Sequence, residues 1–227
     1  MRRQVISDDW AHLTIRGPIM VNNGMRCMIL HSVVSITADM HFVFHPTTSG
    51  RRKSYEINKD TMKRFTFKHF GFLLLVILYV KPTASAQRIG IFDGHGNVGT
   101  DVKPGSATYD SKIHQYEVSG AGYNIWADHD EFHFLWKKLK GDFIVYARGE
   151  FVGKGVELHR KFGWMARASL DGNAAHVNTV VHGDGLTSLQ FRRTRGEKTE
   201  EVRSKLTYAD VIELERKGNT YVMRVAK

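Results

Sequence analysis

From residue 107 to the end, the chain alternates apolar and polar residues in short pieces separated by turn residues. This period of two constrains the fold more than any other feature, because only a β-strand sends successive side chains to opposite faces. In "HQYEVSG", Tyr116 and Val118 share a face. In "EFHFLW", Phe132, Phe134 and Trp136 oppose Glu131, His133 and Leu135. In "GDFIVYARGEF", Phe143, Val145 and Ala147 oppose Ile144, Tyr146 and Arg148. "GWMARASLD", "AHVNTVVHGDG" and "LTSLQFRRT" come next at about the spacing of sandwich strands, and "VIELERKGNTYVMRVAK" reads as a hairpin turning at Gly218-Asn219. No apolar run at helical spacing extends beyond two turns. The pattern predicts an all-β chain, a sandwich or jelly roll.

One stretch argues otherwise. "IGIFDGHGNVGT" contains Gly94, Gly96 and Gly99 in the spelling of a dinucleotide-binding loop. That loop needs a helix immediately after it, whose N-terminus holds the pyrophosphate. The next segment is instead "TDVKPGSATYDSK", where Pro104-Gly105 stops a helix at once. The glycines are therefore expected to form a loop leading into a β domain, with no nucleotide.

The chain has a formal net charge of +10, which suggests a polyanionic partner. The charge is unevenly placed. "MKRFTFKHFGFLLLVILYVKPTASAQ" opens at Met62 with Lys63, Arg64 and Lys68, runs through an uncharged apolar core from Phe70 to Val80, and is broken by Pro82. Ala84-Ser85-Ala86 then supplies the small residues read by a signal peptidase. The apolar run is too short to span a bilayer as a mature helix. Residues 62–86 are read as a signal peptide, and residues 87–227 as an exported β-sandwich domain, periplasmic or extracellular. Residues 1–61 hold five of the eight methionines and the only cysteine, Cys27, with no sustained periodicity. They are expected to be a disordered or spurious upstream extension without a stable fold.

Residues 87–227 carry 21 Lys and Arg against 18 Asp and Glu, a net charge of only +3. Beyond "FRRTR" they have no basic cluster interleaved with aromatics, so nucleic acid is not expected as a partner. They lack cysteine, which excludes a disulfide, a thiol nucleophile and thiol lipidation within them.

"YEVSGAGYNIWADHDEFHFLWKKLKGDFIVYARGEF" with "GWMARASLDGNAAHVNTVVHGDGLTSLQFRRT" resembles a bacterial group of exported domains with the concanavalin A-like lectin/glucanase sandwich. The resemblance rests on Ser119 to Trp126, Asp130 to Phe134, Gly141 to Phe143, Met165 to Asp171 and Gln190 to Arg192. It implies a concanavalin A-like jelly roll. Similar domains often adjoin a TolB-like β-propeller, which makes such a propeller a possible partner. Sandwiches of this kind usually carry further strands after the hairpin that ends in "YVMRVAK", so the sandwich is expected to be incomplete at its C-terminus.

Carbohydrate sites stack sugar rings on aromatic faces and fix the hydroxyls with polar neighbours. Trp126 stands at a loop–strand junction beside Asn124 and Asp128, with Tyr123 just before. Arg167 alternates with Met165 on the face opposite Trp164 and Ala166. Tyr123, Asn124, Trp126, Asp128 and Arg167 are the expected ligand-binding residues, while Phe132, Phe134 and Trp136 are expected in the core. The acidic cluster Asp128, Asp130 and Glu131 invites a calcium ion but lacks a calcium-loop pattern, so no cofactor is assigned. The scattered histidines show no zinc-ligand spacing. No paired-carboxylate strand, such as a glucanase carries, is present.

These features predict a non-catalytic module that binds a polysaccharide or another envelope ligand. A structural partner of a TolB-like propeller is the alternative. A glycan hydrolase working through Glu131 or Glu150 is the third reading.

Overall fold

The computed structural model describes residues 11–16, 25–30, 34–37, 43–44, 88–100, 103–155 and 157–227. All of them belong to one compact unit, and the expected signal peptide, residues 62–86, lies outside them.

Among the described residues the chain is all-β, antiparallel throughout and without a helix. The N-terminal strands are β1 (Ala11–Arg16), β2 (Met25–Leu30), β3 (Val34–Thr37) and β4 (Val43–Phe44). Then come β5 (Gly94–Val98), β6 (Ser106–Asp110), β7 (Gln115–Ser119), β8 (Ile125–Trp126), β9 (His129–Asp130) and β10 (Phe132–Leu139). The remainder are β11 (Phe143–Phe151), β12 (Lys161–Arg167), β13 (His176–His182), β14 (Thr187–Arg192), β15 (Glu200–Arg203), β16 (Val211–Lys217) and β17 (Thr220–Ala226).

Two large sheets result. The first runs β1-β17-β16-β11-β3-β7-β6, with β4 beside β11. The second runs β15-β14-β13-β12-β2-β10-β5, and β8 with β9 forms a small arm.

The first sheet obeys the alternation closely. Phe143, Val145 and Ala147 are buried, as are Ile212 and Leu214 on β16 and Tyr221, Met223 and Val225 on β17. Register aligns them in rows, Val145 with Leu214 and Met223, and Ala147 with Ile212 and Val225. Between them, residues such as Tyr146, Glu213 and Arg224 form the opposite face. The hairpin turns at Gly218, whose φ of +58° suits the first central position of a two-residue turn. The inner face of the second sheet supplies Phe162, Trp164, Val177, Val181, Leu189 and Phe191 to the same core. Trp164 Nε1 donates to the carbonyl of Ile212 at 3.1 Å, tying the two sheets together. The arrangement is consistent with a β-sandwich.

Two features depart from the sequence reading. "GHGNV" is a strand rather than a loop: β5 pairs with β10, and the Trp136 ring lies over Gly96, 3.6 Å from where a Cβ would stand. A glycine pair defeats propensity reasoning here because a neighbouring strand supplies the missing apolar cover. Residues 1–61, expected to have no stable fold, contain four described strands. Each meets a ladder demand. β2 pairs on one side with β10 and on the other with β12, β3 does the same for β7 and β11, and β1 pairs along β17. Strand edges present rows of unpaired backbone groups, and local pattern gives little warning of which segment will satisfy them.

Candidate ligand-binding face

Directly opposed residues in an antiparallel ladder share a face. On the second sheet the face turned away from the core therefore reads in rows. Arg167, His176 and Arg192 form the first, and Met165, Asn178, Gln190 and Glu201 the second. Val180, Ser188 and Arg203 form a third, and Lys161 with His182 a fourth. Through β2, the second row continues to Trp136 on β10. In an ordinary sandwich such a polar face would be solvated. Here Lys161, Arg167, His176, Asn178, His182, Ser188, Gln190 and Arg192 are all buried.

At one end the face is tied in a charge knot. The Asp130 carboxylate takes a bidentate pair from Arg192, at 2.7 and 2.9 Å, and lies 3.3 Å from Arg167 Nη1. Arg192 also donates to the carbonyls of Ala127, Ala174 and Glu197, and Arg167 to those of Ser169 and Asp171. The two guanidiniums thus fasten the loops around residues 127, 169–174 and 197–199. The Arg167 guanidinium also lies 5.1 Å above the Phe132 ring centroid. Burial lowers Arg167 to about 10, with Asp130 working against it, so the group stays charged near neutral pH. His176 is the neutral member, lowered to about 4 by burial against the pull of Asp130. Its Nδ1 faces two acceptors, the Ala174 carbonyl and Asp130, so the proton sits there and Nε2 is left as an acceptor.

At the other end, Lys161 Nζ donates to Asn124 Oδ1 at 2.9 Å. Burial lowers Lys161 to about 8, while Glu201 and Asp130 partly restore it. Burial raises the Glu201 carboxyl, but hydrogen bonds from Gln190, Arg203 and Ser188 outweigh that and hold it below the usual carboxylate range. Gln190 Nε2 donates to Glu201 at 2.9 Å and faces His182 Nε2 at 3.3 Å. Ser188 Oγ, also 3.3 Å from Gln190 Nε2, competes with His182 for its second hydrogen. Burial, with Lys161 adding to it, lowers His182 to about 4.

Along this face, several polar atoms are buried without a partner. They are both side-chain atoms of Asn178, His176 Nε2, His182 Nδ1 and Gln190 Oε1. A buried polar group left unpaired costs about 1–3 kcal/mol.

The expected site residues divide. Arg167 lies on this face, inside the knot, and Asn124 reaches it through Lys161. Tyr123, Trp126 and Asp128 are exposed on or beside the β8–β9 arm, Tyr123 at 94% and Trp126 at 41%. Phe132 and Phe134 are fully buried and Trp136 partly so. Asp130, which invited a calcium ion, is engaged by arginines, and Glu131 accepts from the Tyr123 amide. Among the described residues, no three His, Cys, Asp or Glu are grouped to hold a metal ion, and no helix is long and apolar enough to cross a membrane. Glu150 is on β11 in the first sheet, whereas Glu131 lies between β9 and β10.

Sequence reasoning missed His176, Asn178, His182 and Gln190. The signal was present, since in "AHVNTVVH" His176, Asn178 and His182 alternate with Val177, Thr179 and Val181. It also missed a relay at the far edge of this sheet. Asn97 Oδ1 accepts from His133 Nδ1 at 2.6 Å, and His133 Nε2 lies 3.0 Å from His95 Nδ1. No family model, curated protein or solved structure matches this chain.

Proposed function

We propose that this chain is a concanavalin A-like jelly-roll module that binds carbohydrate without catalysis, through the polar face of β12, β13 and β14. One observation carries the reading: a contiguous row of buried polar side chains that leaves donors and acceptors unpaired. Beyond β12 and β2 the same face carries Phe134 and Trp136 on β10, and saccharide sites combine aromatic surface with a few fixed polar groups. The carboxylates of this face do not suit glycosidic cleavage. Asp130 is paired with two arginines, and Glu201 is held ionised by three donors, whereas a general acid needs a raised pKa beside a second free carboxylate.

The test is incubation of the full chain with a panel of soluble and insoluble polysaccharides, following bound protein and released reducing ends together. Binding without release, abolished by Asn178→Leu in a variant that still unfolds cooperatively, is the expected result. Release of reducing ends overturns the non-catalytic part. No binding to any member by a folded protein overturns the carbohydrate reading and favours an interaction module, such as a partner of a β-propeller.

A further inference from the structure

A cavity of about 310 Å³ opens where β5 and β6, edge strands of the two sheets, come together. Its polar lining is one guanidinium, Arg88, one imidazole, His95, and two hydroxyls, Thr108 and Tyr109. No carboxylate is among the described residues that line it. Arg88 and Thr108 are exposed, and His95 and Tyr109 are half-buried, so a ligand can reach all four.

The walls are held from behind. Gly90 has a φ of +57°, and a side chain there would collide with the Tyr116 hydroxyl. That hydroxyl accepts from the Ile91 amide at 3.0 Å, which pins the turn that follows Arg88. The Tyr116 ring stacks on Tyr109 with centroids 4.3 Å apart, and the Tyr109 hydroxyl is bonded to His114 Nδ1 at 2.9 Å.

His95 is held by the relay through His133 to Asn97. Asn97 Oδ1 accepts from the Gly105 amide while Nδ2 donates to the Lys103 carbonyl, so Oδ1 is the atom that faces His133 Nδ1. His133 Nδ1 therefore carries a proton. His133 Nε2 and His95 Nδ1 meet at 3.0 Å, so one of them donates and the other accepts. Both arrangements let His95 Nε2 donate to an anion. Where His133 Nε2 accepts, a proton taken up at His95 Nε2 gives an imidazolium whose other N–H already has its acceptor. Where His133 Nε2 donates, the His95 proton is already on Nε2.

A guanidinium and an imidazole N–H both serve an oxyanion, and charge-assisted hydrogen bonds of this kind are stronger than neutral ones. With no carboxylate in the lining, nothing there repels the anion. The volume is at the small end for ligand cavities, which suits a small molecule rather than a polymer.

We infer that this cavity binds a small organic oxyanion, a phosphate monoester or a carboxylate, through Arg88 and His95 Nε2. His133 and Asn97 position the His95 ring. The site is separate from the polar face of β12, β13 and β14 and does not rest on the carbohydrate reading.

Glucose 6-phosphate, glucuronate and glucose are titrated calorimetrically into the full chain. The expected result is binding of at least one of the two anions, with none of glucose. Arg88→Gln and His95→Phe should each weaken it about tenfold or more, the equivalent of about 1.4 kcal/mol. Arg88 is exposed, so its variant tests the site even where a change at His95 disturbs the fold. Asn97→Leu removes the acceptor at the end of the relay and should also weaken binding, and Asn97→Asp, which restores an acceptor, should recover it. Lys198→Gln, an exposed cation just before the opposite edge strand β15, should leave the affinity within about twofold. Binding of neither anion, glucose binding as tightly as the anions, or an equal loss in Lys198→Gln overturns the inference. Failure of the polysaccharide panel beside intact anion binding overturns the carbohydrate reading alone.

Discussion

The two large sheets put the same sequence device to opposite ends. In the first, Arg224 on β17 binds Glu213 and Glu215 on β16, and Arg148 binds Asp210. These pairs are partly exposed, and little depends on any one of them. In the second, the alternating polar residues of β12, β13 and β14 are buried, so each must find a partner within the protein or go without. Asp130, Arg167 and Arg192 find one another, while Asn178 finds nothing. An alternating pattern marks one face as polar; whether that face is a solvated exterior or a specific site depends on what water can reach.

Matched substitutions sharpen this contrast. Asp130→Asn leaves two buried guanidiniums without a counter-charge and should cost about 3–5 kcal/mol. Urea denaturation, read against wild type, would show it as a large fall in midpoint. A loss below about 1 kcal/mol would mean that the knot is hydrated and no different from the outer pairs.

Acid should act on the second sheet first. His176 and His182 are lowered to about 4 from a usual 6.5, so the unfolded chain binds more protons than the native chain between those values. Stability is therefore full above about pH 6.5 and falls as pH drops toward 4, at up to about 1.4 kcal/mol per pH unit for each histidine. The groups facing His176 are Asp130, Arg167 and Arg192; those facing His182 are Lys161, Asp184, Glu201 and His159. Midpoints measured at pH 7 and pH 5 should differ less in a His182→Gln variant.

Asn178→Leu should raise stability by about 1–3 kcal/mol, since it removes two unpaired buried atoms, while abolishing ligand binding. Gain of stability with loss of binding is the signature of a site. A large destabilisation instead would assign Asn178 a structural role. Glu213→Gln, its counterpart in the first sheet, should change stability by less than about 1 kcal/mol and leave binding untouched.

Much of this architecture was legible in the residues. Phe143, Val145 and Ala147 on one face, the Gly218-Asn219 hairpin, and Arg167 opposite Trp164 all come from period two and turn chemistry. The candidate face was less legible. Arg167 was proposed from its alternation with Met165 and Asn124 from its place beside Trp126, whereas Asn178 looked like any polar residue facing solvent. Tyr123, Trp126 and Asp128, read as a sugar platform, lie exposed on or beside the small β8–β9 arm.

The sequence by itself determined local conformation and facing, because alternation, turns and backbone pairing are properties of neighbouring residues. Tertiary structure alone decided partnership. Asp130 meets Arg192 from 62 residues away, and β2 stands between β10 and β12, which are more than a hundred residues later in the chain. Burial converts a polar residue from solvated to unsatisfied, and burial is set by the segments that pack across it. For that reason the row centred on Asn178 becomes a candidate site only in the folded chain.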